Sequence, residues 1–236
     1  MASFCSGLQR RRRSWPKSSP LLSLLLVINI TVCLSLIVRG KRCPVFHGAR
    51  STEYLEGVYE TTQLALIAHR RVFAVRFDLH FPDDDSVPES ANTVVSRFVD
   101  SLTERIQSAR ERSRRQNGTA HQTGVRWCWV REIGREGRPH YHFVLLLNKD
   151  AYHTVGRYDS AQQNLYSRIH AAWASALGIP VYDVYGLVHI PVNAEYHLTR
   201  NDPAELERYF RRVSYLCKAA TKVYGNRCRV FGCSRG

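Results

Sequence analysis

The chain has 236 residues, 44% hydrophobic and 23% charged. That excludes a disordered or fibrous protein and allows one domain with a real core plus an appendage. The formal net charge of +14 points to an anionic partner. Residues 1–43 hold eight Lys or Arg and no acid, so 44–236 carries only +6. A local basic surface therefore has to bear any nucleic-acid argument.

The first feature in chain order is Leu21–Val38, LLSLLLVINITVCLSLIV, which has no charge and follows Arg10–Arg13 and Lys17. It is long enough for a transmembrane helix and slightly long for a signal-peptide core. Three readings compete: a single-pass anchor, a signal peptide, or a start codon assigned too early. Met1 is the only methionine, so a later start would need a non-AUG codon, for instance at Val27, Val38 or Val45. Basic residues flank the segment on both sides and orient it only weakly. The expected location is the cytoplasm, with the inner membrane and a single N-terminal span as the alternative. The seven cysteines are odd in number and irregularly spaced. They read as free thiols in a reducing compartment rather than as a zinc framework.

A single domain is expected over residues 54–236. Tyr54–His69 reads as a helix. Val72–Phe81 alternates Phe73, Val75, Phe77, Leu79 and Phe81 against Ala74, Arg76, Asp78 and His80, the signature of a strand. Asn92–Arg115 is an amphipathic helix with Val94, Val95, Phe98, Leu102 and Ile106 inward. Gly124–Ile133 and His140–Asn148 form an expected antiparallel hairpin. Ser160–Leu177 is predicted helical, stopped by Gly178 and Pro180. Tyr185–Val192 is a predicted fourth strand. Asp202 and Pro203 open a final helix that runs to about Val223. This order predicts an α+β fold, a mostly antiparallel sheet with helices on one face.

The chemistry centres on His140-Tyr141-His142. Residues two apart on a strand share a face, so both imidazoles can serve one metal ion. Glu132 lies near the end of the preceding strand, where antiparallel pairing can bring it beside His140. One carboxylate and two imidazoles make a three-ligand site with positions left for phosphate oxygens. On the last helix Tyr215 and Lys218 share a face, and Lys222 lies a turn further on. A tyrosine hydroxyl is a poor nucleophile at neutral pH, but nearby lysines and a divalent ion stabilise its phenolate. Tyr209 and Tyr224 are weaker alternatives on the same helix. Each motif alone also has a plain structural reading, as a surface or core histidine, a solvated turn charge, or a packed tyrosine.

Together, Glu132, His140-Tyr141-His142 and Tyr215-Leu216-Cys217-Lys218 resemble the HUH endonuclease pattern of rolling-circle replication initiators and relaxases. Arg76-Phe77-Asp78-Leu79-His80, PHYHFVLLLN and the terminal YLCKA resemble, more narrowly, the inovirus replication-protein family, which includes the YagK/YfjJ C-terminal domain proteins of enterobacterial prophages. The resemblance covers roughly 54–236. It implies an HUH-like antiparallel sheet flanked by helices, with Mg²⁺ or Mn²⁺ held by Glu132, His140 and His142. It also implies attack by Tyr215 on a scissile phosphate, with Lys218 neutralising charge or positioning DNA. Single-stranded or hairpin DNA is the implied partner. A host replication helicase or polymerase is a further expected partner. As a departure from the pattern, the chain has no helicase or ATPase motif. There is no second tyrosine at the two-tyrosine spacing, and the hydrophobic N-terminus is foreign to the pattern.

Arg76, Arg126 and Arg131 fall on strands expected near the site, and Arg211, Arg212 and Lys222 on the last helix. With Trp127, Trp129 and Tyr141 interleaved, they offer a groove that grips phosphates and stacks bases. The competing reading is a solvated charged face over core aromatics. The arginines of Arg105–Arg115 read as a solvated helix face. An inactive prophage DNA-binding module and a membrane-anchored basic domain are the functional alternatives.

Overall fold

The computed structural model describes residues 49–83, 91–134, 137–158, 163–219 and 229–234, all within one compact unit, Pro44–Gly236. The hydrophobic stretch 21–38 lies outside the described residues. No described helix is long and apolar enough to cross a membrane.

In chain order the elements are α1 (Ala49–Ala68), β1 (Arg71–His80), α2 (Ala91–Asn117), β2 (Arg126–Ile133), β3 (Pro139–Asn148) and α3 (Leu165–Leu177). A short 3₁₀ turn (Val181–Val184), β4 (Val188–His189), β5 (Glu195–Thr199), α4 (Pro203–Ala219) and β6 (Phe231–Cys233) follow. Every strand pair is antiparallel. The path β4–β1–β3–β2–β6 crosses the sheet, and β5 pairs β1 on the same edge as β4. The fold is α+β, as the order of elements implied.

The expectation of helices on one face is corrected: both faces are covered. Phe73, Val75, Phe77 and Leu79 of β1 meet Val94, Phe98 and Leu102 of α2 and Ile169 and Trp173 of α3. On the other face Val72 and Ala74 meet Val58 and Leu66 of α1 and Tyr209 and Val213 of α4. The physical reason lies in β1, where both alternating sets are buried along most of the strand. A strand in that position needs a layer on each side.

Several boundaries also shift. The predicted start of the third helix at Ser160 moves to Leu165, because Asn164 and Ser167 form a reciprocal capping box there. Gly178 closes that helix at φ 75°, a left-handed position that glycine adopts at no steric cost. The predicted strand Tyr185–Val192 shrinks to β4, with the 3₁₀ turn ahead of it. Two strands were not expected, β5 and β6. β6 reaches the β2 edge because Gly232 has no side chain: a Cβ there would meet Trp129 at 2.5 Å.

Candidate metal centre

The strand register builds the site. Asp78 pairs with His142 and His80 with His140 across β1 and β3. Glu132 pairs with His140 across β2 and β3, and His189 of β4 stands opposite Asp78. All share the face covered by α1 and α4, at one end of the sheet. Period-two alternation and antiparallel pairing alone bring these residues together from four strands.

Glu132, His140 and His142 each offer one ligand atom, and these atoms lie within 4.8 Å of one another. The Glu132 carboxylate is 3.1 Å from His142 Nε2 and 3.6 Å from His140 Nε2. The two imidazoles are nearly perpendicular, with centroids 4.8 Å apart. Two imidazole nitrogens and one carboxylate on a shared, partly open face suit a divalent ion that keeps open positions. The donor set therefore fits a metal ion without identifying it.

Asp78 completes the arrangement. Its Oδ1 lies 2.6 Å from His142 Nδ1, its Oδ2 3.5 Å from His189 Nδ1, and Arg76 approaches it at 3.4 Å. A carboxylate on Nδ1 fixes the ring and leaves Nε2 free to bind, the usual support for a metal-binding histidine. Asp78 is 7% exposed. Burial pushes its pKa up, but the hydrogen bond and charge of His142, with Arg76 and His189, pull it further down, so it titrates below the ordinary value. His142 moves the opposite way. Burial lowers it, and the stronger combined pull of Asp78 and Glu132 leaves it raised. Burial, then the charge of His142, holds His140 low. His80 is lowered chiefly by burial, and its ring stacks on His140 at 5.3 Å.

Sequence reasoning put Asp78 and His80 on one strand face but gave neither a role, and it missed His189. The alternation in Arg76-Phe77-Asp78-Leu79-His80 was the available signal. What it lacked was the cross-strand register.

The other expected residues divide. Arg76 is at the site. Arg126 shares the site face but sits at the far end of β2 from Glu132. The placement of Arg131 beside the centre is corrected: it alternates with Glu132 and projects from the opposite face, where it is 8% exposed. Trp127, Trp129 and Tyr141 belong to that same opposite face, packed in or against the core beneath α2 and α3, which removes them from a base-stacking groove at the imidazoles. Arg211 and Arg212 are exposed on α4, with Arg211 paired to Glu207 at 2.7 Å. The alternative nucleophile Tyr209 is fully buried, its hydroxyl 3.2 Å from that of Thr62. The backbone of Tyr215 and Lys218 continues α4, while their side chains lie outside the described residues, as do Lys222 and Tyr224.

These features define a class: an α+β domain whose antiparallel sheet carries a two-histidine, one-carboxylate cluster braced by an aspartate. Within that class the chain belongs to the YagK/YfjJ C-terminal domain family, whose model matches residues 38–234. It is 35% identical over 199 residues to the uncharacterized protein YagK of Escherichia coli (strain K12), covering 80% of this chain and 95% of that one. It is 32% identical over 201 residues to the uncharacterized protein YfjJ of the same strain, covering 80% and 97%. No solved structure matches the chain.

Proposed function

We propose that this chain is a metal-dependent enzyme that nicks and rejoins single-stranded DNA through a tyrosine, initiating rolling-circle replication of a phage or prophage element. The observation that carries the reading is the convergence of Glu132, His140 and His142 on one point of the sheet. A bound Mg²⁺ or Mn²⁺ there would supply the Lewis acidity that polarises a phosphodiester. Asp78 holds the His142 ring through Nδ1, and Arg76 adds positive charge beside the carboxylates.

The Tyr215 hydroxyl gives up its proton and its oxygen attacks phosphorus. A tyrosyl–phosphate bond forms to the 5′ end, the bond to the 3′ oxygen breaks, and that oxygen takes up a proton. Lys218, one turn on, offsets the negative charge that develops. A later 3′ hydroxyl reverses the sequence and rejoins the strand.

The test is a denaturing gel for a covalent protein–DNA adduct. The full chain is incubated with Mn²⁺ and single-stranded or hairpin DNA, beside Tyr215→Phe and His140→Ala. Wild type should form the adduct and both variants should lose it. An adduct persisting in Tyr215→Phe would move the nucleophile elsewhere. No adduct from wild type under any condition would leave a DNA-binding module without cleavage.

A further inference from the structure

On the side of the sheet away from the imidazoles, α2 and α3 leave a groove of about 620 Å³ between them. Its lining is polar: Arg105 and Arg112 from α2, Arg168 from α3, and four serines, with Glu104 the one carboxylate among the described lining residues. Arg105 donates to Ser101 Oγ at 3.2 Å. None of the three arginines makes an ion pair among the described residues. The reading of Arg105–Arg115 as a solvated helix face holds for the exposed Arg112, Arg114 and Arg115, while Arg105 and Arg112 also face a second helix with another guanidinium on it.

Tyr152 stands near these arginines, outside the groove's lining. Its side chain is buried, 8% exposed, and its hydroxyl has no hydrogen-bond partner among the described residues. Burial raises the phenol's pKa, while Arg168, Arg110 and Arg112 act to lower it. Arg168 in turn is depressed by burial and, after the opposing effect of Tyr152, by Arg112 and Arg110. Arg112 and Arg168 of the lining thus crowd like charges together with Arg110, an arrangement that an anion relieves. From Ser101 to Arg112 the lining runs roughly 16 Å along α2, longer than a single phosphate needs.

We propose that this groove is a second anion site, which takes the phosphodiester backbone of a nucleic-acid strand on the face opposite the candidate metal centre. Arg105, Arg112 and Arg168 meet the phosphate oxygens. The site is independent of cleavage, so its test reads binding alone.

The probe is a short labelled single-stranded oligonucleotide of mixed sequence, followed by fluorescence anisotropy against salt. It is bound to the full chain in a His140→Ala background, so that the metal centre cannot contribute a product. Replacing Arg112→Ser with Arg168→Gln should reduce the slope of log affinity against log salt by about 1.4, roughly 0.7 per lost phosphate contact on a single strand. Should Arg168→Gln unfold the chain, Arg105→Ser with Arg112→Ser gives the same test from α2 alone. An unchanged slope in folded variants overturns the proposal. If inorganic phosphate or a nucleoside monophosphate binds through the same arginines while the oligonucleotide ignores them, the polynucleotide is overturned and a free-phosphate site stands instead.

Discussion

Asp78 shows how one side chain ties the site together. It contacts His142 and His189 from opposite oxygens, so the ring that presents Nε2 toward Glu132 is held from behind. Asp78→Asn should lower Mn²⁺ affinity by roughly 10–100-fold with the fold intact, as read by isothermal titration calorimetry. The pH dependence has a definite sign. Asp78 and Glu132 favour protonated His142, and metal binding must displace that proton. Mn²⁺ affinity should therefore climb as pH rises through the His142 titration, with proton release detectable by comparing buffers. The Glu132, His140, His142 triad was legible from alternation and one hairpin. Asp78, His80 and His189 were not, because their role depends on which strand lies beside which, and β4 is only two residues long. The misplacement of Arg131 was avoidable, since it is one residue from Glu132 and must face the other way.

At the scale of elements, the long periodic segments were readable and the short ones were not. β1 and α2 carry ten and 27 residues of consistent pattern. β4, β5 and β6 carry two, five and three, too few for periodicity to stand out against loop sequence. The start of α3 is set by side-chain hydrogen bonds rather than by hydrophobic spacing. Asn164 Oδ1 accepts from Ser167 N at 3.0 Å, and Asn164 Nδ2 donates to the Arg157 carbonyl at 2.9 Å. Asn164→Ala should cost about 1 kcal/mol, measured by chemical denaturation. The same helix holds His170, 1% exposed, with Nδ1 3.0 Å from the Tyr166 carbonyl. Burial depresses its pKa below 6.5 against the opposing pull of that carbonyl. The neutral ring's contribution is full above the unfolded value and is lost as pH falls through the folded one. Thermal stability should drop on acidification through this range, and His170→Gln should flatten part of that decline.

Over the whole molecule, two hydrophobic layers share one sheet. Phe77 is fully buried in the α2–α3 layer, stacked on Phe143 at 5.3 Å and edge-on to Phe98. Phe77→Ala should cost roughly 3–5 kcal/mol as measured by denaturant unfolding, a large part of a typical domain's stability. Metal binding should offset part of such losses. An ion at 100 times its dissociation constant adds about 2.7 kcal/mol, so Mn²⁺ should raise the melting temperature of wild type and leave that of His140→Ala unchanged.

The neighbours Phe77 and Asp78 point to opposite faces of β1, one into the aromatic layer and one toward the imidazoles. Sliding β1 by a single residue against β3 would exchange them, driving a carboxylate among phenylalanines and stranding the histidines without their brace. Misaligned strands would thus be penalised twice. Correct alignment of the sheet and assembly of the chemical cluster are consequently one cooperative event, and a well-folded population lacking the cluster should not arise from strand slippage.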